Sequence, residues 1–280
     1  VALLTIGLFD SGVGGLSVLR RLRDLLPSED CLYFADNVHM PYGPRSPEEL
    51  QEIVFAICDF LVAAGCSMIV MACNTSSALV LPLARARYSI PLVGVLDPGA
   101  RAAAEVSESG SIGVMATLAT TRSGAYERAI LTYRPAANVH SQACPMLAPL
   151  VEQGTLAGPL VEAALRDCLV PLLSANIDTV VLGCTHYPFL SDALLRLLPT
   201  GVTLVDPAFQ TAIEAAKLVH PDPHGTGQVT YCVSGNRAAF VQVATSLMLN
   251  ITEPKQACFT RDNEQLRVGL HNGRTSHISM

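Results

Sequence analysis

None of the nine cysteines stands in a CxxC pair, and charge is scarce, at 15% of 280 residues. The first absence argues against a zinc ribbon, and the odd cysteine count argues against a disulfide framework. A reducing, cytoplasmic setting is therefore expected. Basic residues are not in excess: the formal net charge is −6, which argues against nucleic-acid partners. The sequence has no G-x-G-x-x-G and no Gly-Lys-Ser/Thr, which rules out a P-loop and counts against a dinucleotide fold. Its opening, LLTIGLFDSG, has no basic region or cleavage-type small residues, so no signal peptide is expected. Only residues 53–73, IVFAICDFLVAAGCSMIVMAC with the single charge Asp59, are long and apolar enough to suggest a membrane span. PEEL reads as a helix start ahead of it and Ala64-Gly65 breaks it, so helix, turn and buried strand is the reading adopted.

Half of the residues are apolar, which excludes disorder for most of the length. Short apolar strings such as LLTIGLFD, CLYFAD, MIVMAC and PLVGVL alternate with helical stretches at 3–4 spacing, including GGLSVLRRLRDLL and TSSALVLPLARARY, the latter despite Pro82. This pattern predicts α/β architecture with parallel sheets covered by helices. The pattern then restarts. TIGLFDS (5–11) returns as SIGVMAT (111–117), AGCSMIVMACNT (64–75) as ANIDTVVLGCTH (175–186), and VLDP (95–98) as LVDP (204–207). The offsets are all roughly 110 residues, which points to an internal duplication. Two pseudo-symmetric α/β domains are expected, one from residues 1–97 with 208–280 returning to it, the other from 98–207. After TAIEAAKLV (helix) and TYCVSGNRAAFVQVATSLML (strand and helix), the sequence from about 251 turns polar and aperiodic, and loose order is expected there.

Ligands of parallel α/β sheets bind beyond the carboxyl ends of the strands. Five clusters fall at such ends: Asp10-Ser11, Asp36 with Pro41-Tyr42-Gly43, Cys73-Asn74-Thr75, Thr117 with Thr120, and Cys184-Thr185-His186. Free cysteines are usually small core residues, and seven of the nine are read so. Cys73 and Cys184 differ because duplication places both at strand ends beside polar groups. Facing each other across a cleft, they could remove a proton from one side of a carbon and return one to the other. His186 lies where an imidazole can set the ionisation of Cys184. Asp10 reads equally as a helix N-cap or as a partner for a substrate ammonium. The glycines of DSGVGGLS make a tight turn whose N–H groups can hold a carboxylate, and Asn74, Thr75, Thr117, Thr120 and Thr185 add neutral donors. Arg45 is read as a solvated surface residue. A metal at Cys184-x-His186 would need two further ligands. A cysteine hydrolase would leave Cys73 idle, and a thiol–disulfide pair is usually closer in sequence.

At GLFDSGVGGLSVL (7–19), YFADNVHMPYGPRS (33–46), ACNTSSA (72–78), GVMATLATTRSGAY (113–126) and LGCTHYP (182–188) the chain resembles the cofactor-independent glutamate racemases of bacterial cell-wall synthesis. The resemblance implies interconversion of L- and D-glutamate between two α/β domains, without pyridoxal phosphate or metal. It makes Cys73 the base for D-glutamate and Cys184 the base for L-glutamate, with Asp10 and His186 assisting and with Asp36 and Glu152 as further acidic residues. Ser11, Pro41, Tyr42, Gly43, Asn74, Thr75, Thr117, Thr120 and Thr185 match substrate-contacting positions. The sequence departs from the family pattern at Asn37, at Asp97 and in DPAFQTA, none of which touches a thiol. The resemblance admits a homodimer, although no surface stripe marks an interface. Aspartate racemisation and a non-catalytic amino-acid-binding module are the rival readings.

Overall fold

The computed structural model describes residues 5–219, 225–247, 249–263 and 265–271. Its strands are β1 (Thr5–Asp10), β2 (Asp30–Ala35), β3 (Cys66–Met71), β4 (Leu92–Gly94), β5 (Ser111–Ala116), β6 (Asn138–Ala143), β7 (Thr179–Gly183), β8 (Thr203–Val205), β9 (Val229–Val233), β10 (Lys255–Asp262) and β11 (Gln265–Leu270). They form a seven-stranded sheet, β11-β10-β9-β2-β1-β3-β4, and a four-stranded sheet, β6-β5-β7-β8. Every pairing is parallel except β10–β11. β2-β1-β3-β4 and β6-β5-β7-β8 are the same order, and the three echoed sequence blocks occupy corresponding places in the two sheets.

Burial follows from this connectivity. Central strands with helices on both faces have no solvent side, so β3 and β7 read as apolar runs with almost every residue buried. The helix Leu16–Leu25 buries Leu16, Val18, Leu19 and Leu22 on one face, and its arginines turn outward or lie part-covered. The helix Pro47–Ala63 starts where the Ser46 side chain accepts from Glu49 N, with Pro47 in its first turn. It ends at Gly65, which takes φ 89, and the chain enters β3. The apolar run of 53–73 is thus helix, turn and strand, and among the described residues no helix is long and apolar enough to cross a membrane. TSSALVLPLARARY forms two helices, Asn74–Leu79 and Leu81–Arg87, because Pro82 lacks an N–H and fits only the first turn of the second.

The sequence beyond 251 departs from expectation. β10 and β11 form an antiparallel hairpin whose inner side carries Ala257, Phe259, Leu266 and Val268. Asn263 takes φ 47 at its tip. The alternation is masked in sequence because the outer side is polar and the strands are short. β9 adds in parallel to β2, and Lys255–Gln256 of β10 continue from β9. Residues 272–280 of the expected loose tail lie outside the described residues.

In each sheet the strand order reverses direction beside the first strand of the set, so β1/β3 and β5/β7 are the switch points where a crevice opens. Asp10 and Cys73 end the first pair of strands, and Thr117 and Cys184 the second.

Candidate active site

Cys73 follows β3 and caps the helix Asn74–Leu79 in extended conformation, and Cys184 follows β7. Both line one cavity of about 540 Å³. Ser11, Pro41, Tyr42, Gly43, Asn74 and Thr75 join Cys73 on its first wall, and Thr117, Glu152, Thr185 and His186 join Cys184 on the other. Asp10, Asp36 and Thr120 are not at the wall. They are buried behind it.

The two thiols have different surroundings. His186 Nδ1 lies 3.6 Å from Cys184 Sγ, and His186 Nε2 lies 2.7 Å from Glu152 Oε1. Burial alone would discharge this imidazole, but its hydrogen bonds to Cys184 and Glu152 outweigh burial and hold it well above the usual histidine range. Cys73 has no such partner. Burial first, and then the nearby Asp10 carboxylate, push its thiol up to about 12. Asp10 is itself raised by burial, against the opposing pull of His186 and the turn N–H groups.

Asp10 is not a helix N-cap. Its Oδ2 accepts from Gly12 N at 3.1 Å, while its Oδ1 accepts from Thr185 Oγ1 of the other wall at 3.2 Å. Val13 N donates to Glu152 Oε1 at 3.1 Å. The N–H groups of the DSGVGGLS turn expected to hold a carboxylate do so, but the carboxylates are the protein's own. The glycines have a steric reason as well. A Cβ on Gly14 would lie 2.5 Å from Thr185 Oγ1 and 2.6 Å from His186 Nδ1, so only glycine lets the two walls meet here.

Asp36 is fully buried and accepts from Ser234 Oγ (2.8 Å), Tyr42 O–H (2.8 Å) and the His39 ring. The bond from Tyr42 ties this buried carboxylate to a residue that lines the cavity. Arg45, expected at the surface, is half-buried; it donates from Nε to His39 O and pairs with Glu49, propping the same loop. Thr75, Thr117 and Thr120 share hydroxyl contacts of 3.0–3.3 Å that bridge the two walls.

A model of the Asp/Glu/Hydantoin racemases matches residues 6–216. The chain belongs to that family. As a member, it is 44% identical over 270 residues to a glutamate racemase of Desulforudis audaxviator, covering 92% of this chain and 98% of that relative. The solved glutamate racemase isoform RacE1 of Bacillus anthracis superposes with a TM-score of 0.83 at 36% identity, over 94% of this chain and 99% of that one. The glutamate racemase of Francisella tularensis, solved with D-glutamate, gives a TM-score of 0.84 at 28% identity over 91% and 98%.

This family member has wall residues that sequence reasoning missed, among them Met40, Leu118, Cys144, Pro149 and Tyr187. Cys144 had been read as core. It is buried, but it follows β6 as Cys73 follows β3, and strand-end position was the available signal. Tyr187 directly follows His186, and its hydroxyl donates to Cys144 O at 2.9 Å. Among the described residues of the racemase no group of three or more His, Cys, Asp or Glu side chains is arranged to hold a metal ion.

Proposed function

We propose that this racemase interconverts L- and D-glutamate by proton transfer between two thiols, within the two-domain division at about residues 97 and 207. The observation that carries the reading is that two thiols at duplicated strand ends, Cys73 and Cys184, line one cavity, one from each sheet.

One sulfur, as thiolate, takes the Cα proton. The Cα–H bond breaks, its electron pair stays on carbon, and an S–H bond forms. The opposite thiol then gives its proton to the other face of Cα, which inverts the centre. The Cα proton is far less acidic than a thiol, so the carbanionic transition state needs stabilising donors and exclusion of water. Ser11, Thr75, Thr117 and Thr185 supply donors without a formal charge. Burial pushes the Cys73 thiol up, while Cys184 lies 3.6 Å from the His186 ring, so the two sulfurs have unlike surroundings. By the family resemblance, Cys184 takes the proton of L-glutamate and Cys73 that of D-glutamate.

D-Glutamate made this way would serve peptidoglycan synthesis in the cytoplasm, a setting that suits nine free cysteines. The test is turnover in deuterium oxide with L-glutamate, then D-glutamate, followed by circular dichroism and mass spectrometry. Racemisation with one solvent deuterium at Cα is expected, with Cys73→Ala and Cys184→Ala each slower by about a thousandfold or more. Product free of deuterium refutes the two-thiol exchange, and turnover of aspartate in preference to glutamate refutes the substrate.

A further inference from the structure

GVMATLATTRSGAY ends in Tyr126, a residue to which the reaction outlined above gives no part. Gly124, at φ 62, separates the short helices Leu118–Ser123 and Ala125–Tyr133, and the turn sends Tyr126 inward. Its ring slides under the end of β7: a Cβ on Gly183, the residue before Cys184, would lie 3.1 Å from Tyr126 Cε2. Its hydroxyl crosses to the other wall and donates to Asn74 Oδ1 at 2.6 Å.

This bond fixes which way the Asn74 amide faces. A buried phenol proton needs an acceptor, and Asn74 Oδ1 is the hydroxyl's partner among the described residues. Were Asn74 turned so that its nitrogen donated to Tyr126, the phenol proton would be stranded. With Oδ1 turned toward Tyr126, the Asn74 side chain, which lines the cavity, keeps its two N–H donors to offer there. That nitrogen makes no hydrogen bond among the described residues, and Asn74 lines the cavity.

We infer that Tyr126 is a positioning residue that commits Asn74 to present N–H donors, which makes its corner of the cavity a subsite for a carboxylate and not for an ammonium group. The inference rests on the glutamate reading above. A donor that meets a carboxylate present in ground and transition states alike lowers KM and leaves kcat nearly unchanged. Tyr126 touches no reacting atom and acts only through Asn74.

The experiment is a double-mutant cycle with L- and D-glutamate as probes, read by steady-state kinetics and by calorimetric binding. Tyr126→Phe keeps the ring under Gly183 and removes only the hydroxyl. It is expected to raise KM and the dissociation constant about tenfold with kcat within about threefold. Asn74→Ala does at least as much, and adding Tyr126→Phe to Asn74→Ala changes nothing further. Should Tyr126→Phe fail to fold, Asn74→Asp supplies the second arm. It keeps an acceptor for Tyr126 but has no N–H, and it is expected to melt like the unmodified chain while losing glutamate binding. An unchanged KM in Tyr126→Phe, effects that multiply in the double variant, or normal glutamate binding by Asn74→Asp overturns the inference alone. Absence of both glutamate binding and racemisation in the unmodified chain overturns the glutamate reading with it.

Discussion

His186 Nε2 meets Glu152 Oε1 at 2.7 Å, joining the residue two places beyond Cys184 to the end of the helix Leu147–Glu152. Because the other ring nitrogen faces Cys184 Sγ, Glu152 governs how long that imidazole keeps its charge. Burial favours the neutral ring, and the bonds to Cys184 and Glu152 reverse that preference. Glu152→Gln keeps the shape and removes the anion, so the imidazolium is lost at lower pH. The alkaline limb of kcat/KM is expected to move down by about one pH unit. L- and D-glutamate have equal free energies, so both directions must lose kcat/KM equally. A limb that stays in place would show that Glu152 does not hold the charge.

Gly14→Ala tests the close approach of the two walls. The added methyl meets Thr185 Oγ1 and His186 Nδ1. The variant is expected to fold, with kcat lower by about a hundredfold, since misplacing a catalytic group by about 1 Å costs on that order. Wild-type kcat would mean that the walls yield without consequence.

Asp10→Asn is expected to separate stability from activity. The folded Asp10 carboxyl is raised above 3.8, chiefly by burial. The unfolded chain releases this proton more readily, so Asp10 subtracts from stability as pH rises through its folded value, and it subtracts nothing below the unfolded one. Asparagine can keep both hydrogen bonds, to Gly12 N and to Thr185 Oγ1. Melting about 2–5 °C higher at pH 8, no gain near pH 3, and reduced turnover are expected by calorimetry and assay. A lower melting temperature at pH 8 would contradict the burial cost.

Ser234→Ala removes one of the donors that hold the buried Asp36 carboxylate and frees Val38 N as well. A stability loss of about 2 kcal/mol in urea unfolding is expected, together with a higher KM as Tyr42 loosens. Ser234→Thr should restore both. If KM is unchanged, Asp36 does not transmit its position to the cavity.

Strand ends, the duplication and the two reactive-looking thiols were legible because buried strands announce themselves by composition, and Cys73 aligned with Cys184 gave the pair. The β10–β11 hairpin was not, since Thr260, Arg261 and Asp262 are polar and exposed whichever face they take, which breaks the apolar alternation. The cage around Asp36 needs Ser234, 198 residues away, and no local pattern reports a partner at that distance. Cys144 looked like core because a cavity wall built of apolar atoms has the same composition as an interior. The turn of DSGVGGLS was read as holding a ligand's carboxylate, and sequence could not say that Asp10 and Glu152 take its Gly12 and Val13 N–H groups.

The pairing of β9 with β2 has a consequence for synthesis. The seven-stranded sheet draws its strands from both sides of the four-stranded one along the chain, so a nascent chain emerging from the ribosome can finish the inner sheet before the outer. Until residues 229–233 emerge, β2 offers a bare edge whose N–H and C=O groups invite pairing with another copy. Misassembly during translation therefore concentrates at that edge, and it ends only when one of the last strands is made.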